Sequence, residues 1–396
     1  MLLNSPRLND AMTTYDLAAM VAVAPENVLY TSGFWCLSQW IRRGPQAFVV
    51  VPASSQGEPV VITSTSTLDL VADQGVTARV RRYGGFIVDT DRSIVLDSVS
   101  ARQAELYGLM ADDSAVSGLV AEIRAAGLAS SRIGIDEVGL LPGDIEALKS
   151  ALPEVTWVSA SSVFRWVRAV KTAEEIARLK AIGEITERSI SAALAIAKEG
   201  VTEFEMARVF HSHTVGEDAF PVLGCIGFGE RSALPNVQPS DRALRKGDVI
   251  RFDVGGHFRN YRADIARNAY FGKPSRDIEI KYDALNEGVK RGIEHVRPGV
   301  SASEIFRVVV EAVREAGIPH YQRSHVGHGI GLDGYDFPLL SASSEDVLED
   351  GMVLCVETPY YELGRVGLQV EDMVVVRPDG AEMLTNNGDS LVVIDQ

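Results

Sequence analysis

Cysteine is scarce in this chain. Its three cysteines, Cys36, Cys225 and Cys355, lie far apart and form no Cys-x-x-Cys pair. That spacing excludes a disulfide framework and a thiolate zinc site. It leaves small apolar residues suited to a reducing compartment. Long apolar runs are missing too, and no stretch reaches the roughly 18 residues of a membrane-spanning candidate. Positive charge is in deficit: the formal net charge is −16, with no basic block to offset it. A nucleic-acid partner is excluded on that ground, and an anionic membrane surface is disfavoured. The opening Met1-Leu-Leu-Asn-Ser-Pro has no basic segment followed by an apolar core, so no secretion leader is expected and a cytoplasmic location is. No strand-to-helix turn carries a glycine fingerprint for nucleotides.

What is present is enough apolar residue, 46%, to build a sizeable core, in a chain of 396 residues that exceeds one ordinary domain. Residues 7–165 alternate strand-like and helix-like segments. Asn27–Tyr30 leads to Gly33, and a strand over 47–51 is stopped by Pro52. Another strand is expected at 60–63, helices at 100–110 and 114–126, and a strand at 132–136. Phe34, Trp35, Trp40, Arg42 and Arg43 form an aromatic and basic cluster. It reads either as core with a solvated edge or as a wall reaching an active site. Arg165–Lys171 looks like a hinge, which places the domains at 1–168 and 169–396.

The second part repeats itself. Lys198-Glu-Gly200-Val201-Thr202 with Glu205 lines up with Arg297-Pro-Gly299-Val300-Ser301 with Glu304. Each copy follows a helical stretch, 172–197 and 278–295, and Thr172 with Glu175 has capping-box spacing. Each copy then runs into a strand opened by a glycine and closed by an acid: Gly247 to Asp253 and Gly351 to Glu357. A second strand in each holds another acid in mid-strand, Asp264 and Glu371. Two similar halves, each with two helices and a strand hairpin, predict an α+β domain in which helices cover a curved antiparallel sheet. An internal two-fold would bring the hairpins together at its centre.

Four carboxylates in apolar strands need cations, because an unpaired buried charge costs several kcal/mol. A calcium site or four separately partnered structural acids would also account for them. The equivalent positions in two copies, the strand setting and a histidine in the glycine-rich Ser324–Asp333 stretch favour a different chemistry. One imidazole with four carboxylates suits Mn, Co, Zn or Fe in a two-metal site. Such a pair can hold a bridging hydroxide and polarise a carbonyl, which is machinery for cleaving an amide or related C–N bond.

At this point the sequence resembles a family. Asp253, Asp264, His328, Glu357 before a Pro-Tyr turn, and Glu371-Asp372 match the five-ligand pattern of the M24 "pita-bread" metallohydrolases. Tyr30-Thr-Ser-Gly33-Phe, the strand ending Val51-Pro52 and the Arg168–Ile176 junction resemble the prolidase, aminopeptidase P and creatinase branch. The resemblance implies a creatinase-like α/β domain followed by a pseudo-two-fold pita-bread domain. It implies two divalent metal ions bridged by Asp264 and Glu371, with Asp253 completing one shell and His328 and Glu357 the other. Glu357 would serve as general base, acting on a dipeptide or Xaa-Pro peptide. It also implies a homodimer, to which the Trp35 and Trp40 region would contribute.

The chain departs from the proline-specific pattern at three places. Asn236 and Tyr335 stand where those members carry histidines that contact the substrate, and Gln369 stands where an arginine is common. Asn236 and Tyr335 still donate hydrogen bonds, so oxyanion stabilisation remains open. His325 reads either as a second histidine at the site, catalytic with Glu357 and Tyr335, or as turned into the helix layer. Tyr360 and Tyr361 read as pocket lining or core. Trp35 and Arg42 are candidates for substrate binding, and His257 reads as an exposed turn residue. The alternative function is C–N hydrolysis of a small nitrogenous acid, creatine-like or ectoine-like. More remote are a sulfonium-acid lyase, whose extra acid is replaced here by Gly255, and a binding protein, which lost ligands would have favoured.

Overall fold

The computed structural model describes residues 2–41, 44–53, 57–91, 93–386, 388 and 390–395. The chain divides into two compact units, Met1–Val167 and Arg168–Gln396. Among the described residues no helix is long and apolar enough to cross a membrane.

The first unit is built on a seven-stranded mixed sheet. Its strand order is Ala111–Asp112, Arg79–Tyr83, Val60–Ser64, Phe48–Pro52, Ala19–Ala22, Arg132–Ile135, Thr156–Ser159. The two central strands Phe48–Pro52 and Val60–Ser64 are buried at every residue, as expected of valine-rich runs covered on both faces. Helices Ser98–Tyr107 and Ala115–Ala125 form close to where the sequence places them, the second capped by Ser114. Asn27–Tyr30 lies in the helix Pro25–Ser32, which ends on Gly33 in the left-handed region.

The second unit carries the duplication down to single hydrogen bonds. The helices Ala173–Leu194 and Glu203–Gly216 open on capping boxes at Thr172/Glu175 and Thr202/Glu205. Arg276–His295 and Ala302–Ala316 are their counterparts, with Ser301 accepting from the Glu304 amide. Gly200 N–H donates to the Leu244 carbonyl, and Gly299 N–H donates to Leu348. Leu244 and Leu348 then bond back to Val201 and Val300. Gly200 and Gly299 sit at φ of 90° and 88°, a conformation that costs a side-chain-bearing residue but not glycine.

The ten-stranded sheet joins the halves at its middle. Along it run Val249–Phe258, Ile265–Phe271, Glu371–Arg377, Val353–Glu357 and His325–Gly329, each antiparallel to the next. One face is closed by helices. Leu285, Val289, Val309 and Val313 of the second pair belong to one buried cluster with Leu354, Val356, Val374 and Val376 of the strands. This is the curved antiparallel sheet under helices that the pattern predicts.

Two expectations change. Asp264 and Glu371 are not in mid-strand: each stands where the ladder is interrupted. The chain leaves the sheet after Arg262 and rejoins at Ile265, and it enters at Glu371 from Val366–Leu368, which pairs with Tyr360–Glu362 in a separate two-stranded ribbon. His257 is not in the turn either. The turn is Arg259-Asn260, both at positive φ (48° and 72°), as a two-residue hairpin requires. His257 lies on the strand before it, half-buried, with its ring stacked on Phe220 at 5.2 Å.

Candidate metal centre

Successive side chains of a strand point to opposite faces, so Arg251 and Asp253 share one face, and so do Cys355 and Glu357. Register then sets the rank. Ala266 pairs with both Asp253 and Glu371, and Glu357 pairs directly with Glu371. The result is a cluster. Oxygens of Asp253, Asp264 and Glu371 lie within 4.8 Å of one another, as do donor atoms of His328, Cys355 and Glu371. His328 Nε2 is 3.8 Å from Asp264 Oδ2. Asp253, Asp264, His328 and Glu371, four of the five side chains expected from the sequence as metal ligands, thus share these clusters, and Glu357 stands beside them as the ladder partner of Glu371.

The electrostatics are those of a site short of positive charge. Burial pushes the Asp253 carboxyl up to about 6, with Arg251 pulling the other way. Burial, then the neighbouring carboxylates, push Asp264 and Glu371 well above the usual carboxylate range. Asp264 Oδ1 is buried without a hydrogen-bond partner. Burial lowers His328, which favours the neutral imidazole. Its Nδ1 is 3.0 Å from the Gly329 carbonyl. That contact assigns the proton to Nδ1 and leaves the Nε2 lone pair facing the acids, the arrangement a metal-ligating histidine needs. Four carboxylates, one correctly oriented imidazole and an orphaned carboxylate oxygen fit a divalent cation of the Mn, Co, Zn or Fe type. The buried Cys355 thiol sits among them, its pKa raised by burial and by Glu371.

Around the cluster, His325 Nε2 is 3.1 Å from Glu357 Oε1, so this imidazole faces the site and not the helix layer. Tyr335 stacks on His328 with ring centroids 3.8 Å apart. Burial and the nearby carboxylates raise its hydroxyl pKa, so it remains a hydrogen-bond donor. Gln369 Nε2 lies 3.3 Å from Glu357 Oε2 and 3.4 Å from Glu371 Oε2.

Tyr360 bonds to His320 and Glu362, while its neighbour Tyr361 reaches Gln369 Oε1 at 3.0 Å. Asn236 is exposed on the loop that follows Gly229–Ala233. Trp35 belongs to the first unit, where its amide donates to Gln74. Arg42 lies outside the described residues.

One residue the sequence reading passed over is Arg251. A charged side chain amid Val249, Ile250 and Phe252, two residues before a ligand and on its face, was the available signal.

Gly255 follows Asp253 on the same strand. A Cβ there would lie 1.8 Å from the Ala263 carbonyl oxygen, because the chain folds in at the interruption before Asp264. Gly255→Ala is expected to destabilise the second unit by about 3 kcal/mol, the upper range for overpacking. Urea denaturation would measure this. An unchanged midpoint would mean that the 263–264 segment is not held against the strand.

Comparison with known proteins gives matches along most of the chain. The family model for metallopeptidase family M24 matches residues 177–378, and that for the creatinase/prolidase N-terminal domain matches residues 6–170. An uncharacterised peptidase of Staphylococcus aureus (strain USA300) is 29% identical over 224 residues, 56% of this chain and 63% of the relative. The match thus spans less than two thirds of that relative's length. A Xaa-Pro dipeptidase of Pyrococcus horikoshii is 30% identical over 267 residues, 65% of this chain and 76% of the relative. Among solved structures, the dipeptidase PepE of Mycobacterium ulcerans superposes with a TM-score of 0.78 at 26% identity, over 99% of this chain and 97% of that one.

Proposed function

We propose, from the premise that this chain belongs to metallopeptidase family M24, that it is a dinuclear metal-dependent hydrolase cleaving the amide bond of a dipeptide or Xaa-Pro peptide. The observation that carries this reading is the cluster of Asp253, Asp264, Glu371 and His328, the first two half-buried and the last two buried, with one carboxylate oxygen left unpartnered. Residues 1–168 are assigned as the creatinase-like domain and 169–396 as the catalytic one.

Asp253, Asp264, His328, Glu357 and Glu371 would hold two divalent ions. Bound there, such a pair supplies Lewis acidity to the scissile carbonyl and acidifies the attacking water. The remaining work falls to side chains. Glu357 takes the proton of the attacking water and returns it to the leaving nitrogen. His325, 3.1 Å from its Oε1, accepts or donates beside it and orients the carboxylate. Tyr335, fixed by its stack on His328, donates its hydroxyl to the carbonyl oxygen as charge develops there. The short peptide is the partner. The metal is one of Mn, Co, Zn and Fe, the location is the reducing cytoplasm that three buried free cysteines suit, and the assembly is a homodimer.

A second reading is favoured by Asn236, Tyr335 and Gln369. The same centre would then open a C–N bond of a small nitrogenous acid. The lyase reading is weakened because position 255 has no room for an acidic side chain. The test is activity of the purified protein, supplied with Mn, Co or Zn, on Xaa-Pro dipeptides, other dipeptides, cyclic amides and guanidino acids. Turnover of dipeptides is expected. Turnover confined to the last two classes moves the assignment to the second reading, and turnover of none removes both.

A further inference from the structure

Arg251 is fully buried, yet it is no ligand. Its Nη2 donates to the carbonyls of Leu234 at 2.7 Å and Pro235 at 3.0 Å. Its Nη1 donates to Gln369 Oε1 at 2.8 Å and lies 3.3 Å from both the Tyr361 hydroxyl and Asp253 Oδ2. The Tyr361 hydroxyl donates to the same Gln369 oxygen at 3.0 Å. Two donors therefore hold one end of the Gln369 amide. The other end, Nε2, is turned onto Glu357 Oε2 and Glu371 Oε2. Flipping the amide would set its oxygen against two carboxylates and its NH2 against a guanidinium and a hydroxyl. Only one of the two flip states satisfies every group.

Positions 251 and 369 reach the same place because of the strand between them. Asn268 is the ladder partner of Arg251, and its side chain clamps the Gln369 backbone, donating to the carbonyl at 2.5 Å and accepting from the amide at 3.3 Å. Arg251 from one side of Asn268 and Gln369 from the other therefore meet.

We propose that Arg251 is a positioning residue that, with Tyr361, locks Gln369 and through it orients Glu357 and Glu371, so that the arginine which the resembled pattern places at position 369 has exchanged that position for 251. This rests on the hydrolase reading, whose general base is one of the two carboxylates. It makes Gln369 part of the machinery, where residue identity alone marks it as a loss.

The test uses the full chain as Arg251→Leu, Gln369→Leu, Tyr361→Phe, and the double variant Arg251→Leu/Gln369→Arg. Three quantities are read: kcat and KM on a dipeptide the wild type cleaves, metal retained after dialysis, and the visible spectrum of the cobalt-loaded protein. Orienting groups behind ligands are worth about 10- to 100-fold in metal affinity or activity. Arg251→Leu and Gln369→Leu are therefore expected to lower kcat by about that factor with KM little changed, and to shift the cobalt spectrum. The double variant should recover to within about tenfold of wild type. A double variant no better than Arg251→Leu, with both folded by circular dichroism, overturns the exchange. If Arg251→Leu fails to fold, Gln369→Leu decides: an unchanged kcat and cobalt spectrum overturn the relay, and a fall in kcat with Tyr361→Phe adding nothing in its background supports it. A wild type inactive on all dipeptides sinks the dipeptidase reading instead, while metal retention and the cobalt spectrum still judge the relay.

Discussion

Glu357→Gln is expected to lower kcat by about a thousandfold or more, since a positioned general base is worth about 10²–10⁴. The substitution keeps the size of the side chain and one oxygen. It removes the ability to accept a proton and the negative charge that His325 and Gln369 now face from either side. Glu357 is also placed among the metal ligands, so two losses are superposed. Measuring bound metal beside kcat separates them. If the variant still binds metal at saturating supply and remains inactive, the missing step is proton transfer. His325→Ala should do less harm, about tenfold to a hundredfold, because it orients a base without replacing it. A Glu357→Gln protein that keeps more than a tenth of wild-type kcat would remove Glu357 from the chemistry.

Much of this centre was legible because it is written twice. The capped helices, the positive-φ glycines and the acid-ended strands recur at matching places, and repetition separates a ligand from a chance carboxylate. What the sequence could not convey was local geometry. Asp264 and Glu371 look like mid-strand residues because apolar neighbours surround them; only the folded chain reveals that the ladder breaks before each. Thr358-Pro359 interrupts strand parity after Glu357, so nothing in the spacing told Tyr360 from Tyr361, of which the second reaches Gln369. Arg251 was missed for a different reason. Its partners are backbone carbonyls of a loop and an amide between two strands far along the chain, neither of which has a sequence signature.

Removing metal should cost both activity and stability, and the stability loss should grow with pH. In the metal-free protein Asp253 is raised to about 6, and Asp264 and Glu371 stand well above their ordinary values. A carboxyl with a higher pKa folded than unfolded binds its proton more tightly in the folded state. Its stabilising effect is complete below the unfolded pKa, near 4, and is lost as pH rises through the folded value. The metal-free fold therefore weakens between about pH 4 and a point above 6. Cations reverse this locally, since they bind the deprotonated carboxylates and pair the charge that burial penalises. At a thousandfold excess over Kd they add about 4 kcal/mol. For a domain of this size that corresponds to about 10 °C in Tm. Comparing Tm with Mn or Zn against Tm with a chelator, at pH 5 and at pH 8, isolates the site, because all other titrations are common to both arms. The gap should be small at pH 5 and widest at pH 8. A gap that narrows with pH, or none at either, would mean that these carboxylates are not what the metal binds.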